Sequence, residues 1–236
     1  MGIVSQGEYT RALDAARTCL AIAEEIEHHQ WIPLAHGTLG IPHPTILGHS
    51  FGGFVALTLA VRHPDVVGRL ILMNTAAATA DMADAMGTIE QRYGPEARAT
   101  AERMFSGDFS DEVTVAFARY VAPVYVHDPA NVGLVGEFIQ RTRFNPEVAG
   151  HYFGKLAGQY DVRARLNEIR VPTLVVAGET DWLCPPSTAR VVANGIPRAE
   201  IVVIPQAGHF AMWEQPEFTL SAVRPFLASP KSVGGI

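Results

Sequence analysis

The sequence predicts an α/β protein built on a mainly parallel sheet and interrupted by a helical insertion. Short apolar runs typical of buried strands alternate with amphipathic, helix-like stretches. A long central stretch is helix-like and contains no strand pattern, and a serine flanked by glycines follows the first apolar run. The four apolar runs lie at residues 45–47, 69–74, 171–177 and 200–205. Alternation of this kind requires crossover connections, which favour parallel strands.

The helix-like stretches divide the chain into regions. Apolar residues recur at helical spacing over residues 9–27, so residues 1–43 are predicted to form an N-terminal helical segment. The α/β core is predicted over 44–228, with helices at 54–62, 186–194 and 214–227. Residues 76–168 are too long for a loop and are interpreted as a helical lid over the edge of the sheet. Residues 229–236 are interpreted as a tail.

Composition excludes several classes of function. The 236 residues carry a net charge of −6 without a cluster of Lys and Arg, so we expect no nucleic-acid partner. Cys19 and Cys184 form neither a disulfide framework nor a metal-binding spacing, and we expect no metal or cofactor. The N-terminus lacks a signal-peptide pattern, and no apolar run reaches a membrane-spanning length. We therefore expect a cytoplasmic protein without a membrane partner.

Residues 48–52 read Gly-His-Ser-Phe-Gly, which matches the G-x-S-x-G pattern. A serine on a tight turn from strand to helix projects its hydroxyl above the sheet, and the glycines permit the strained backbone. This context predicts Ser50 as a nucleophile, and a structural turn is the alternative. His49 is interpreted as structural, because a base must approach Ser50 from elsewhere in the fold.

Two further polar residues each follow an apolar run. Asp181 can receive an imidazole N–H and fix its tautomer, although a helix-capping or turn aspartate is an alternative and Glu179 is a nearby competitor. His209 follows the last run and is predicted to be the base, although a lone loop histidine is more often structural. The three residues occur along the chain in the order Ser, Asp, His. Enzymes that carry a nucleophilic serine on such a strand-to-helix turn have their catalytic residues in the same order.

These motifs resemble the α/β-hydrolase superfamily, and within it the branch of lid-bearing enzymes similar to proline iminopeptidases and esterases. The resemblance covers residues 45–227. It implies a small acyl substrate held between lid and sheet, with Ser50, His209 and Asp181 as catalytic residues and the Phe51 N–H as an oxyanion donor. The matching segments are GHSFGG at 48–53, RHPDVVGRLIL at 62–72, VPTLVVAGETDWLCPP at 171–186 and IPQAGHFAMWEQPE at 204–217.

The resemblance is incomplete before Ser50. Members of the superfamily bring about four strands and a His-Gly oxyanion loop ahead of the nucleophile, whereas only 49 residues precede Ser50 here. The pair at 36–37 is His-Gly but is interpreted as a coincidence, because no apolar strand precedes it. The fold is therefore predicted to be an incomplete α/β-hydrolase fold. An exposed strand edge in such a fold favours pairing of two copies into a homodimer.

Residues 7–40 resemble a pair of helices from a tetratricopeptide repeat, although an ordinary amphipathic helix of similar composition is an equal alternative. Three functional hypotheses follow. The first is a serine hydrolase acting on an ester, amide or related acyl bond, with lactone and carbon–carbon bond hydrolysis also open. The second is an inactive protein of the same fold. The third is a protein-interaction module that uses the N-terminal helices.

Overall fold

The structure is a computed structural model that describes residues 43–82, 84–141 and 146–229. The predicted N-terminal helix, the resemblance to a tetratricopeptide repeat at 7–40 and the His-Gly pair at 36–37 lie outside the described residues, and so does the tail beyond residue 229. All statements below concern the described part of the chain.

The centre of the fold is a four-stranded, fully parallel sheet in the order β1-β2-β3-β4. This arrangement confirms the predicted α/β class and the parallel sheet. Each predicted apolar run became one strand, with boundaries shifted by a few residues at most. The strands are β1 Thr45–His49, β2 Arg69–Met73, β3 Thr173–Gly178 and β4 Ala199–Ile204.

Burial separates the inner strands from the outer ones. Every residue of β2 and β3 is buried, as expected for parallel strands covered on both faces. Strands β1 and β4 are only partly buried, and Leu47 of β1 is 55% exposed. Among the described strands β1 pairs with β2 alone. Pairing of two copies through the edge of β1 that faces away from β2 stays a prediction, which sedimentation analysis of the wild type and of Leu47→Lys would test.

Helices cover both faces of the sheet because successive strand residues point in opposite directions. Leu70 and Leu72 of β2 pack in the apolar cluster that includes the helices after β1 and β3, whereas Ile71 and Met73 pack in the cluster that includes the C-terminal helix. The helices that flank the sheet are α1 Phe51–Arg62, α7 Pro186–Gly195, the short α8 Ala211–Glu214 and α9 Pro216–Ala228.

Between β2 and β3 the described chain consists of helices joined by short loops, and a single antiparallel bridge pairs Ala78 with Asp161. That bridge holds the two ends of the insertion side by side, so the insertion leaves and re-enters the core at one place. The α-helices of the insertion are α2 Ala85–Tyr93, α3 Pro95–Phe105, α4 Asp111–Ala116, α5 Val132–Arg141 and α6 Pro146–His151.

Shorter and less regular turns connect these helices. Two of them are π-helical, Phe117–Val121 and Tyr152–Leu156. The others are 3₁₀ turns at Thr79–Met82, Ala122–Tyr125, Pro129–Asn131, Ala157–Gln159 and Arg163–Glu168. None of the helices in the described ranges has both the length and the apolar character needed to cross a membrane.

Candidate active site

Ser50 lies on the turn between β1 and α1, immediately before the first residue of the helix. Its backbone has φ 52° and ψ −122°, a region that L-residues rarely occupy and that costs on the order of 1–3 kcal/mol. Three hydrogen bonds hold the turn: the Ser50 N–H donates to the Met73 carbonyl at 3.0 Å, and the Ser50 carbonyl accepts from the Gly53 N–H and the Thr75 hydroxyl. The strained turn is therefore tied to the end of β2.

Two glycines of this segment are required by close packing. A Cβ on Gly48 would lie 2.4 Å from the Gly52 carbonyl oxygen, and a Cβ on Gly53 would lie 2.3 Å from the Thr75 hydroxyl oxygen. A Cβ on Gly52, by contrast, would meet none of the described atoms within 4 Å. The steric requirement thus falls on Gly48 and Gly53, and the second glycine of the G-x-S-x-G pattern has room for a side chain.

Asp181 follows β3 and is buried, with its carboxylate fully hydrogen-bonded. Oδ1 accepts from the backbone N–H groups of Leu183 and Cys184 at 2.9 and 3.0 Å. Oδ2 accepts from the Asn74 side-chain amide at 2.9 Å and from His209 Nδ1 at 2.8 Å. Burial alone would raise the pKa of Asp181, but His209 and these hydrogen bonds outweigh it and hold the pKa below its ordinary value of 3.8. Asp181 is consequently a carboxylate at neutral pH.

His209 follows β4 and is only 2% exposed. Its Nδ1–H donates to Asp181, so Nε2 carries the free lone pair of the neutral ring and can accept a proton. The backbone of His209 is also held, because its N–H donates to the Tyr125 carbonyl at 2.8 Å. The Tyr125 ring packs edge-on against the imidazole at 5.3 Å. The structure therefore brings two of the three predicted catalytic residues into direct contact.

His49 joins the serine turn to the histidine loop. Its Nε2–H donates to the His209 carbonyl at 2.8 Å, and the two imidazole rings lie 4.9 Å apart. Burial and the neighbouring His209 lower the pKa of His49 to about 4, so the ring stays neutral near pH 7. This position agrees with a structural interpretation of His49. It also places the turn that carries Ser50 beside the loop that carries His209.

Two predicted groups of the site, the Ser50 hydroxyl and the Phe51 N–H, do not make their expected catalytic hydrogen bonds in this structure, which contains no substrate. No hydrogen bond joins the Ser50 hydroxyl to the His209 ring, although both residues belong to the described part of the chain. Catalytic hydrogen bonds in unliganded enzymes are often long and shorten only with substrate bound. The N–H of Phe51 belongs to the first residue of α1 and therefore has no acceptor within the helix. It is free to donate to a group in front of Ser50.

Asn74 is a site residue that the sequence analysis did not select. It follows β2 directly, has φ 48° and is 1% exposed. Its amide donates both to Asp181 Oδ2 and to the Gly208 carbonyl at 3.1 Å, and so links the loop after β3 to the loop after β4. Its place at the end of an apolar run was a usable signal, similar to the one that selected Asp181 and His209. Glu179, the competitor of Asp181, instead accepts the Gln206 N–H at 3.0 Å.

Cys184 lies beside Asp181 and His209. The atoms of these three residues that could bind a metal lie within 4.8 Å of one another. Burial raises the pKa of the Cys184 thiol well above its ordinary value, which keeps it protonated. Both oxygens of Asp181 already accept two hydrogen bonds each. The donor set therefore fits an acid that orients a histidine better than it fits a metal centre.

Comparison with known proteins agrees with the fold. The sequence profile of the family described as "alpha/beta hydrolase fold" matches residues 14–216, which is most of the chain. The chain belongs to the α/β-hydrolase fold family. The match begins inside the segment that resembles a tetratricopeptide repeat, and the comparisons do not support that second resemblance.

Individual α/β-hydrolases are similar over most of this chain. Proline iminopeptidase PfmaB of Pestalotiopsis fici is 29% identical over 187 residues, which cover 77% of this chain and 66% of that protein. A 2-hydroxymuconate semialdehyde hydrolase of Pseudomonas putida is 32% identical over 222 residues, covering 84% of this chain and 68% of that protein. The chain thus spans about two thirds of the length of these two relatives.

A solved structure has a similar fold. The structure of Rv0554 from Mycobacterium tuberculosis superposes with a TM-score of 0.64 at 26% sequence identity, over 85% of this chain and 70% of that one. The proline iminopeptidase and the semialdehyde hydrolase named above are hydrolases with different names, so membership of the family indicates hydrolysis but no particular substrate.

Proposed function

We propose that this protein is a serine hydrolase that cleaves an ester, amide or related acyl bond of a small molecule without a cofactor. Ser50 is the nucleophile, His209 the general base and acid, and Asp181 the carboxylate that orients His209. The proposal rests above all on the buried hydrogen bond of 2.8 Å between His209 Nδ1 and Asp181 Oδ2. That bond leaves Nε2 as the proton acceptor, beside the strained turn that carries a serine hydroxyl.

The first half of the reaction forms an acyl-enzyme. The Ser50 hydroxyl oxygen attacks the carbonyl carbon of the substrate while His209 Nε2 takes the hydroxyl proton. The imidazolium is stabilised by Asp181, whose lowered pKa keeps it ionised. When the tetrahedral intermediate collapses, the bond to the leaving group breaks and His209 returns the proton to that group.

The second half repeats these steps with water as the nucleophile. Water loses a proton to His209 Nε2 and attacks the acyl carbon, and the Ser50 oxygen leaves with that proton. In both halves a negative charge develops on the carbonyl oxygen. The Phe51 N–H, at the positive end of α1, is the group that we assign to stabilise this charge.

The relatives support a hydrolase but differ in substrate. One is named a proline iminopeptidase and another a 2-hydroxymuconate semialdehyde hydrolase. We therefore leave the acyl and leaving groups open and expect the helical insertion, rather than the loops that hold His209 and Asp181, to select them. A screen of p-nitrophenyl esters of increasing acyl length, together with prolyl p-nitroanilide, would separate an esterase from an iminopeptidase.

A fluorophosphonate probe tests the proposal directly, because it reacts with a serine only when a base activates the hydroxyl. We expect the wild type to be labelled on Ser50 and Ser50→Ala to be unlabelled. Ser187→Ala is the matched control, since Ser187 is an exposed serine that also lies near a helix start. Folded wild-type protein that takes up no label would favour an inactive or purely interacting protein instead.

A further inference from the structure

The helical insertion contacts both loops that carry the proposed base and acid. The carbonyl of Tyr125 accepts the backbone N–H of His209 at 2.8 Å. Two residues later, Nδ1 of His127 lies 3.1 Å from the hydroxyl oxygen of Thr180, the neighbour of Asp181. We call residues 125–128 the lid turn. The lid turn is thus the place where the insertion meets the catalytic loops.

Glu214, the last residue of α8, binds the lid turn and the histidine loop with the same carboxylate. Oε2 accepts the backbone N–H of Gly208 at 2.6 Å. Oε1 accepts the backbone N–H groups of His127 at 2.7 Å and of Asp128 at 3.2 Å. A carboxylate bonded to N–H groups makes stronger hydrogen bonds than a neutral acceptor does. The two oxygens of Glu214 thus bind different segments: Oε2 binds the histidine loop and Oε1 binds the lid turn.

Gly208 gives the lid turn and the histidine loop little freedom to move separately. A Cβ at Gly208 would lie 2.5 Å from the Tyr125 carbonyl oxygen and 3.0 Å from Val126. The backbones are in contact at the residue that precedes His209. A displacement of the lid turn is consequently passed to His209 through backbone contact and through the Glu214 carboxylate.

We propose that Glu214 is a positioning residue that couples the placement of the helical insertion to the placement of His209. The inference rests on the proposed role of His209 as the base. Glu214 touches no reacting atom in this scheme. It holds the Gly208–His209 backbone and the lid turn in one arrangement, so that His209 is correctly placed only when the lid turn is seated.

A glutamine at position 214 separates coupling from simple space filling. Glutamine has nearly the same shape but only one acceptor oxygen, and its amide group would face an N–H donor on the other side. It can therefore bind the lid turn or Gly208 but not both. Aspartate keeps both oxygens on a side chain that is one methylene shorter and should restore part of the function.

The test measures the second-order rate of fluorophosphonate labelling and the hydrogen exchange of the amides at 127, 128 and 208. We expect Glu214→Gln to slow labelling by about 10- to 100-fold, which corresponds to about 1.4–2.7 kcal/mol. Glu214→Asp should lie between Glu214→Gln and the wild type. Exchange should become faster at 208 or at 127–128. For the substrate found in the ester screen, kcat should fall more than KM rises.

Glu217→Gln is the matched control, because Glu217 is an exposed glutamate three residues away whose side chain has no hydrogen bond to the lid turn or to the histidine loop in the described part of the chain. A Glu214→Gln variant with wild-type labelling and exchange rates would overturn the proposal. So would equal slowing by Glu217→Gln. If the wild type itself takes up no label, the proposed hydrolase function fails. The exchange measurement then still decides whether Glu214 joins the lid turn to the histidine loop.

Discussion

The loops at the strand ends and the helical insertion are held together in different ways. At the strand ends, buried polar groups fix one another: Asp181 receives four hydrogen bonds, and Asn74 bridges two loops. The insertion relies on a buried apolar cluster, on aromatic contacts such as those of Phe153 with Phe105 and Tyr152, and on exposed ion pairs such as Arg98 with Glu90. Exposed pairs of this kind contribute little and are screened by salt.

This difference assigns separate tasks to the two regions. A reacting group must be held within a fraction of an ångström, and buried, fully bonded side chains at the ends of rigid strands provide that. A substrate pocket must vary among relatives, and an insertion with two π-helical turns and few buried polar bonds tolerates change. We therefore expect substitutions at the strand ends to affect the rate, and those in the insertion to affect substrate choice.

The largest effect is expected for Asp181→Asn. The change keeps the shape of the side chain but removes the charge that orients His209 and stabilises its cation. In a serine protease triad the equivalent change lowers kcat by about 10⁴-fold, and we expect a fall of the same order here. Glu179→Gln is the control, because the Glu179 carboxylate binds the Gln206 N–H instead. The rate of ester hydrolysis is measured for both variants. An equal loss of activity in the two would contradict the assignment of Asp181 as the carboxylate that orients His209.

The next effect distinguishes the glycines of the serine turn. Gly53→Ala places a Cβ against the buried Thr75 side chain, and we expect a loss of about 1–3 kcal/mol in the free energy of unfolding. Gly52→Ala meets none of the described atoms and gains helix propensity, so it should be neutral or stabilising by up to about 1 kcal/mol. Urea unfolding measures both variants. Equal destabilisation by the two changes would contradict the packing described for this turn.

These predictions show which parts of the site were accessible from the sequence. Ser50, Asp181 and His209 each follow an apolar run, and the carboxyl ends of parallel strands meet at one edge of a sheet. The position of all three at the carboxyl ends of the strands could therefore be predicted. Asn74 obeys the same rule but was overlooked, because an asparagine at a strand end suggests no chemistry by itself. Its role depends on Asp181 being nearby, which only the folded structure provides.

The insertion was predictable only as helical. No sequence pattern predicted its π-helical turns. Its contact with the histidine loop depends on the backbone carbonyl of Tyr125. Backbone groups are the same at every residue, so no pattern marks this one. Glu214 was likewise hidden, since a glutamate at the end of a short helix is usually solvated. Tertiary placement alone gives it three backbone partners.

A third expected effect is a dependence of the free energy of unfolding on pH, caused by the buried His49 ring. The His49 ring is protonated below about pH 6.5 in the unfolded chain, whereas burial and His209 keep it neutral down to about pH 4 in the folded protein. The unfolded state then binds more protons between these values, so acid lowers stability by about 3 kcal/mol over this range. His49→Gln keeps a donor for the His209 carbonyl but cannot titrate.

Urea unfolding at pH 7.5, 5.5 and 4 would test this expectation. The wild type should lose about 3 kcal/mol more than His49→Gln between the first and the last pH. His63→Gln is the control, since His63 lies at the far end of α1, away from the site. An identical pH dependence for the wild type and His49→Gln would show that His49 is solvated in the folded protein.

The smallest effect is expected within the insertion. The Tyr152 hydroxyl is buried without a hydrogen-bond partner among the described residues, and burial raises its pKa to about 12. Tyr152→Phe should therefore leave the melting temperature unchanged or raise it. Tyr160→Phe is the matched comparison, because the Tyr160 hydroxyl donates to the Ala76 carbonyl at 3.1 Å and should cost about 1 kcal/mol. Thermal unfolding in which Tyr152→Phe proves the more damaging change would reveal a partner for Tyr152.

The central claim concerns the approach of His209 to Ser50, and a crystal structure of the phosphonate adduct measures it directly. We expect the phosphorus bonded to the Ser50 side-chain oxygen, a phosphonyl oxygen about 2.7–3.1 Å from the Phe51 nitrogen, and His209 Nε2 about 2.6–3.2 Å from the serine oxygen. A phosphonate on another residue, or an imidazole that stays beyond hydrogen-bonding reach of the serine oxygen in the adduct, would contradict the account.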